Sequence, residues 1–222
     1  MPDVHELELL REELFGADAG FLRVRRLHLR NLAADGSPSA AYVCDFAVRP
    51  KGVDAVVVVL WRREAGRVMV LLREGLRPAL WFGRDDPPPP VAESRRSPWM
   101  IEVVAGIIER TDVGEHGVRA RAAAEVDEEA GFTVAPHAFE FLGAGTFPTP
   151  GSMPEMFWLL AAELPADAVA REPGGDGSPM EHGARTHWRE LDAAIEACVA
   201  GEIRDAKTEL VLRRLRDRLA AA

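Results

Sequence analysis

The stretch AVVVVLW at positions 55–61 constrains the fold of this chain more than any other feature, because it is apolar without interruption. A strand with one solvated face alternates apolar and polar residues, whereas a strand covered on both faces is apolar throughout. A second apolar run, RVMVLLR at 67–73, follows the turn residues Glu64-Ala65-Gly66. The two runs therefore predict two strands that are buried on both faces and joined by a turn.

The rest of the chain beyond position 98 mixes strand-like and helix-like patterns. WMIEVVAG predicts a strand that ends at Gly106. Two further strands are predicted at 139–146 and 156–163. Helices are predicted at about 118–130, in WRELDAAIEACVAG, which begins at Trp188, and in DAKTELVLRRLRDRLAAA, which begins at Asp205. The polar stretch REPGGDGSPMEHGAR predicts a loop. Strands and helices thus alternate without a regular βαβ repeat, which indicates a mixed α/β fold.

The first fifty residues follow other patterns. Apolar residues recur at helical spacing at Val4, Leu7, Leu10 and Leu14, which predicts a short N-terminal helix over 4–15. FLRVRRLHLRNL then alternates apolar and charged residues, ADGSPS supplies turn chemistry, and AAYVCDFAVR resumes an extended pattern. These segments predict an antiparallel β pair with its arginines on a solvated face.

Residues 84–98, RDDPPPPVAESRRSP, predict an exposed loop, because proline fits neither a helix interior nor a sheet interior. Four consecutive prolines favour the polyproline conformation. A stiff spacer is the preferred interpretation, and a ligand for a partner protein is the alternative.

Composition limits the class of protein and of partner. A chain of 222 residues with 47% hydrophobic residues fits one domain, or one domain with a small appended piece. The net charge of −9 and pI near 5.2 argue against binding to nucleic acid or to an anionic membrane, so an anionic substrate must be met locally. Cys44 and Cys198 are far apart and predict neither a disulfide framework nor a zinc site. With no run of about 18 apolar residues, the expectation is a soluble protein of the reducing cytoplasm.

The stretch AAAEVDEEAGF at 122–132 places three carboxylates close together near the end of a helix. Val118, Ala122, Val126 and Ala130 form the apolar stripe, and Glu125, Glu128 and Glu129 lie along one edge of it. Like charges at this spacing destabilise a helix by about 0.2–0.5 kcal/mol per pair, and the helix dipole opposes them further. A solvated charged face is the common explanation for such a run. A hard divalent cation is the other one, because it would turn the repulsion into coordination.

AEVDEEAGF, preceded by Gly106 and a loop, resembles the Nudix box, G-x5-E-x7-R-E-U-x-E-E-x-G-U, in which U is aliphatic or aromatic. The second half of the box is matched at the right spacing by Glu125, Glu128, Glu129, Gly131 and Phe132. The first half departs from the pattern, since His116 stands at the position of the first motif glutamate. Ala124 replaces the motif arginine, which in the family pairs with a box glutamate. Arg121, one helical turn earlier, is the candidate to take over that pairing, and a weakened or lost active site is the alternative.

Flanking segments resemble the ADP-ribose pyrophosphatase-like Nudix proteins. The matches are REGLRP with Arg77, WMIEVVAGIIE with Glu102 and Ala105, TFPTPGSMPEMFWLLAAEL with Glu155, and GEIRDAKTELVLRRL. They occur in the same order as in that subfamily, between about residues 55 and 216. The resemblance implies a Nudix-type α/β/α sandwich with a mixed sheet, plus a small N-terminal antiparallel β segment. It divides the chain into an N-terminal helix and β segment at 1–52, expected to form a dimer, and a hydrolase domain at 53–222.

The resemblance also implies roles for individual residues. Mg²⁺, or alternatively Mn²⁺, would be held by the carbonyl of Ala105 and by Glu125, Glu128 and Glu129, while Arg121 supports the cluster. Glu155 is the expected acceptor of the proton from the attacking water. The alternative is that Glu155 is an exposed loop acid without a catalytic role. Arg77 is expected to bind the substrate phosphates, Glu102 to act as a substrate or supporting carboxylate, and Trp99 to stack on a base.

The expected function is hydrolysis of the pyrophosphate bond of a nucleoside diphosphate linked to another moiety, with ADP-ribose as the leading substrate and AMP and ribose 5-phosphate as products. The expected assembly is a homodimer. Two rivals stay open. One is a pyrophosphatase for a nucleotide sugar or a similar compound, and the other is a Nudix-fold binding or regulatory protein that lost catalysis with the motif arginine.

Overall fold

A computed structural model describes residues 4–84, 89–93, 96–175 and 177–221. Within the predicted proline-rich loop at 84–98, residues 85–88 and 94–95 lie outside the described ones. The described remainder of that segment forms neither helix nor strand, as the prolines predict.

The N-terminal part of the chain is a three-stranded antiparallel sheet in the order β1-β2-β3. Its strands are β1 (Val4–Phe15), β2 (Arg23–Ala33) and β3 (Tyr42–Val48). The predicted β pair is therefore confirmed as β2 and β3. The predicted helix over 4–15 is wrong, because this segment is the edge strand β1.

Contacts between strands explain why β1 is not a helix. Glu12 accepts a hydrogen bond from Arg25 Nε at 2.6 Å, and Glu13 lies 2.8 Å from His28 Nε2. Glu8 pairs with Arg30 in the same way. A backbone ladder along the strand, with two shifts of register, and charge pairs across the strands thus override the helical spacing of four apolar residues, which stay exposed.

The second sheet has seven strands and is mixed. The strands are β4 (Ala55–Glu64), β5 (Arg67–Leu76), β6 (Trp99–Glu102), β7 (Val104–Ile107), β8 (Glu140–Phe141), β9 (Phe157–Glu163) and β10 (Arg185–Glu190). Their order is β10-β5-β4-β9-β8, with β6 beside β5 and β7 beside β4. β4 and β9 run parallel, and the other pairs are antiparallel.

Helices cover both faces of this sheet. α2 (Gly114–Ala130) covers one face, and α3 (Leu191–Val199) and α4 (Ala206–Ala220) cover the other. The short helix α1 (Pro78–Phe82) buries none of its residues, and 3-10 turns lie at Pro136–Ala138 and Pro179–Glu181. Val57 and Val59 of β4 point into a core shared with α3 and α4, whereas Val56 and Val58 point into a core shared with α2. The α/β/α sandwich with a mixed sheet is confirmed, and the apolar run of β4 is explained by burial on both sides. No helix among the described residues has the length and apolar character needed to cross a membrane.

The predicted single strand WMIEVVAG is two strands. β6 pairs with β5 and β7 pairs with β4, so the chain changes partner at Val103. The amide of Val103 is satisfied by the hydroxyl of Thr208 on α4, at 2.9 Å. This crossing brings the end of β7 beside α2.

Two other boundaries differ from prediction. Trp188 belongs to β10, and the helix that was predicted from it begins at Leu191. The strand predicted at 139–146 is limited to Glu140–Phe141 and a single bridge at Thr146. Gly143, with φ of 92°, turns the chain out of the extended conformation between them.

Candidate functional site

The glutamates of α2 line a cavity of about 500 Å³. The helix buries Val118, Ala122, Val126 and Ala130 against the sheet, as the apolar stripe predicts. Glu125, Glu128 and Glu129 lie at the edge of that buried stripe and face the cavity, whose wall includes Ala105 and Gly106 of β7. The structure thus brings together all four residues that the resemblance assigns to a metal.

Glu129 is the most firmly held of the three carboxylates. The amide of Ala105 donates to its Oε2 at 3.2 Å, and Arg73 Nη1 lies 3.4 Å from its Oε1. Burial raises the pKa of Glu129 to about 7, although Arg73 and the amide of Ala105 act in the opposite direction.

Glu125 lies directly over the backbone of Gly106, where a Cβ would overlap its carboxyl group. Burial, followed by the negative charges of Glu129 and Glu128, raises the pKa of Glu125 to about 7. Gly106 therefore provides the space in which this carboxylate reaches the cavity.

Gly106→Ala is expected to displace the Glu125 side chain and leave the fold intact, because the overlapping atoms are the far end of a flexible side chain. We expect activity to fall by about tenfold or more, since a misplacement of about 1 Å costs up to 100-fold. Steady-state kinetics and thermal melting measure the two effects. In a Glu125→Gln background, Gly106→Ala should lower activity only a little further. A further tenfold loss of activity in that background would contradict this role of Gly106.

Arg121 lines the cavity and has partners besides the predicted box glutamate. Its Nε donates to Asp112 Oδ2 at 2.8 Å, while its Nη1 lies 3.8 Å from Glu125 Oε1. A further carboxylate, Glu109, lies 3.7 Å from its Nη2. The side chain is thus placed beside Glu125, as the compensation hypothesis requires, and is oriented by Asp112.

Arg73 and Glu181 are cavity residues that sequence reasoning missed. Arg73 of β5 is 5% exposed and lies 3.2 Å from Glu181 Oε1, in addition to its contact with Glu129. Glu181 comes from the 3-10 turn in the long polar loop after β9. The available signal for Arg73 was a charged residue at the end of an otherwise apolar, buried strand. Nothing in the pattern around Glu181 distinguished it from a solvated loop acid.

Arg77 and Glu102 form an ion pair at the edge of the cavity. Arg77 lines the cavity with a half-exposed side chain. Glu102 is 1% exposed, and its second oxygen accepts from Lys207 Nζ at 2.6 Å. Glu102 therefore contacts protein cations and lies behind Arg77.

Glu155 and Trp99 are not among the described residues that line the carboxylate cavity. Glu155 is 9% exposed and pairs with Arg49, which joins the N-terminal segment to the loop before β9. Trp99 lies against Gly183 and lines a separate cavity of about 290 Å³ with His182.

The donor set of the cavity suits a hard divalent cation. The side chains of Glu125, Glu128 and Glu129 and the backbone of Ala105 offer oxygen ligands, which Mg²⁺ and Mn²⁺ prefer. Burial, and after it the negative charges of Glu129 and Glu128, disfavour the charged form of Glu125 and raise its pKa, and a bound cation would offset both effects. In the described part of the chain no three acidic, histidine or cysteine side chains are arranged as a group that could hold a metal ion. The fit of these residues to such an ion is thus one of donor type and charge.

Comparison with known proteins found no matching family model and no matching curated protein. Solved structures to which this chain is similar include an Ap4A hydrolase of C. elegans, at 20% identity over 76% of this chain and 98% of that one, with a TM-score of 0.41. The NUDIX domain of Shewanella oneidensis NrtR complexed with ADP ribose matches at 14% identity over 76% and 88%, with a TM-score of 0.47. A NUDIX hydrolase from Alicyclobacillus acidocaldarius matches at 14% identity over 73% and 90%, with a TM-score of 0.48. Nudix proteins are thus among the structures to which this chain is similar.

Proposed function

We propose that this chain is a magnesium-dependent Nudix pyrophosphohydrolase that cleaves a nucleoside diphosphate linked to another moiety, with ADP-ribose as the leading substrate. The observation that carries the proposal is one cavity that is lined by both acidic and basic side chains. The lining contains three glutamates of α2 together with the cations Lys51, Arg73 and Arg77. Such a cavity matches a diphosphate accompanied by a divalent ion.

Hydrolysis of a pyrophosphate requires that its negative charge be neutralised and a water be aligned with the scissile bond. A divalent ion, when bound, would lower the pKa of a water and polarise the phosphate. Glu125 and Glu129 would be its principal ligands, with Glu128 and the carbonyl of Ala105. Arg77 and Lys51 would bind the phosphate oxygens directly, which fixes the substrate before reaction.

A proton from the attacking water must be accepted by a carboxylate within reach of the cavity. The resemblance assigns this role to Glu155, which in this structure pairs with Arg49. Glu181 is the alternative acceptor, and its position in the lining of the cavity supports it. For Glu155 to be the acceptor, the loop that carries it would have to move towards the cavity. Glu181 already lines the cavity, so its assignment requires no such movement.

Arg121→Ala is expected to lower kcat/KM by about tenfold, because Glu125 loses the cation that stands in for the motif arginine. Arg119→Ala on the same helix is the matched control, since Arg119 contacts the ring of Phe141 and the carbonyl of Phe139 outside the cavity. Kinetics of both variants with ADP-ribose measure the difference. Wild-type rates in Arg121→Ala would show that Arg121 does not compensate for Ala124.

We also propose a cytoplasmic homodimer formed through the N-terminal sheet. β1 is an edge strand, and its residues Leu7, Leu9 and Leu14 are 58%, 52% and 52% exposed. An edge strand with exposed apolar residues is a template for pairing with another chain. Leu7→Glu with Leu9→Glu is expected to convert a dimer to a monomer in light scattering coupled to size-exclusion chromatography. A wild-type protein that elutes as a monomer would contradict this assembly.

The rival functions are separated by one assay. ADP-ribose with Mg²⁺ is expected to give AMP and ribose 5-phosphate, and chelation should stop the reaction. Faster turnover of a nucleotide sugar in a panel of diphosphates would favour the alternative enzyme. Binding of ADP-ribose without any turnover would favour the regulatory protein, for which the replacement of the motif arginine by Ala124 is the supporting observation.

A further inference from the structure

Glu102 is a buried carboxylate that the mechanism above does not use. Its side chain is 2% exposed, and a cation lies at each oxygen. Lys207 donates to Oε2, and Arg77 forms an ion pair with Oε1. Among the described residues no hydrogen bond of good geometry reaches Oε1. The positive charge of Arg77 therefore compensates for the burial of this negatively charged oxygen.

Lys207 belongs to a network that ties Glu102 to the start of α4. Its Nζ lies 2.9 Å from Asp205 Oδ2, and the same oxygen accepts from the amide and the hydroxyl of Thr208 at 3.0 and 2.6 Å. Thr208 accepts in turn from the amide of Val103, next to Glu102 in the chain. Burial opposes the charged form of Lys207, but Asp205 and Glu102 outweigh it and raise the pKa of Lys207. Glu102 is thus held in place from behind by a helix terminus.

Oε1 of Glu102 faces Arg77. Among the described residues of this network, Arg77 lines the cavity, whereas Glu102, Lys207 and Asp205 do not. Arg77 follows the end of β5, where a long side chain has many rotamers available. A carboxylate that fixes the guanidinium before the substrate arrives removes much of the ordering cost of binding. A guanidinium that contacts one carboxylate keeps further N–H donors for a phosphate.

We propose that Glu102 is a positioning residue, which holds Arg77 at the cavity so that its guanidinium meets a substrate phosphate in a preformed orientation. Lys207 and Asp205 keep Glu102 in the orientation that this requires. The inference rests on the proposed function, because it assumes that the ligand of the cavity carries phosphate.

A double-variant cycle tests this role by binding alone. The dissociation constant of ADP-ribose is measured calorimetrically in EDTA, which prevents turnover, for the wild type, Glu102→Gln, Arg77→Ala and the double variant. We expect Glu102→Gln to weaken binding about tenfold, the loss typical of one charge-assisted contact. In the Arg77→Ala background it should weaken binding less than twofold further. Equal losses in both backgrounds would overturn the proposal, because Glu102 would then act without Arg77.

A second variant guards against loss of folding. Glu102→Gln with Lys207→Met removes both charges of the buried pair, which proteins tolerate better than one uncompensated charge. It should give the same weakened binding, and wild-type affinity would overturn the proposal. Glu163→Gln, at an exposed glutamate paired with Arg63, is the matched control. Hydrolysis with Mg²⁺ is assayed separately, so a protein that binds ADP-ribose without cleaving it contradicts the proposed enzyme and leaves the result of the cycle intact. A wild-type protein that binds no ADP-ribose would overturn both.

Discussion

Replacing Glu125 and Glu129 together by glutamine is expected to lower kcat/KM for ADP-ribose by about 100-fold or more, because a catalytic metal supplies several kcal/mol of charge stabilisation. Glutamine keeps the shape of each side chain but loses the charge that would hold Mg²⁺. The amide of Ala105 keeps an oxygen acceptor at position 129. Steady-state kinetics over a range of Mg²⁺ concentrations measure the effect, which excess Mg²⁺ should reverse only in part.

The same double variant is not expected to be less stable than the wild type. Burial raises the pKa of both carboxylates, and the negative charges of Glu129 and Glu128 raise that of Glu125 further, so the charged forms are disfavoured in the folded protein. Asp127→Asn is the matched control on α2, since Asp127 pairs with Arg171 outside the cavity. Loss of activity in the control, or a large fall in Tm in the double variant, would point to disrupted folding and contradict a metal-binding role.

Glu181→Gln is expected to lower kcat by about 100-fold, the lower end of what a general base contributes. The reason is its position, because Glu181 shares the cavity with the three glutamates of α2. KM should change less than kcat, since the amide can still accept a hydrogen bond from Arg73. Rates at substrate saturation, with and without the change, measure this directly.

Glu155→Gln is the comparison that decides between the two candidate bases. It should lower the free energy of unfolding by about 2 kcal/mol, because Arg49 loses a buried charged partner. For a chain of this size that corresponds to a fall in Tm of roughly 6 °C. Its effect on kcat should be small. A 100-fold loss of kcat in Glu155→Gln, with near-normal rates in Glu181→Gln, would instead support the assignment made from the family resemblance.

The parts of the fold that local patterns predicted are those where one physical requirement dominates. The uninterrupted apolar run of β4 demands cover on both faces, and the structure provides a helical layer on each. The stripe of α2 at helical spacing likewise predicts which side is buried and hence where Glu125 and Glu129 face. For these elements the period of the hydrophobic pattern is sufficient.

Other features depend on contacts between distant segments. The residues of β1 have helical spacing, yet they form a backbone ladder with β2, across which charges such as Glu12 and Arg25 also meet. Glu181 reaches Arg73 only because a polar loop folds back over β5, and no local pattern records that path. The pairing of Glu155 with Arg49 spans more than one hundred positions in the chain. Spacing alone does not carry such information, which is why Arg73 and Glu181 were missed.

The most direct test of the account is calorimetric titration of the metal-free protein with Mn²⁺. We predict saturable binding to the wild type that Mg²⁺ competes for, and its loss in a protein carrying Glu125→Gln, Glu128→Gln and Glu129→Gln. Equal Mn²⁺ affinity in the triple variant and the wild type would show that these carboxylates do not hold the ion and would contradict the account.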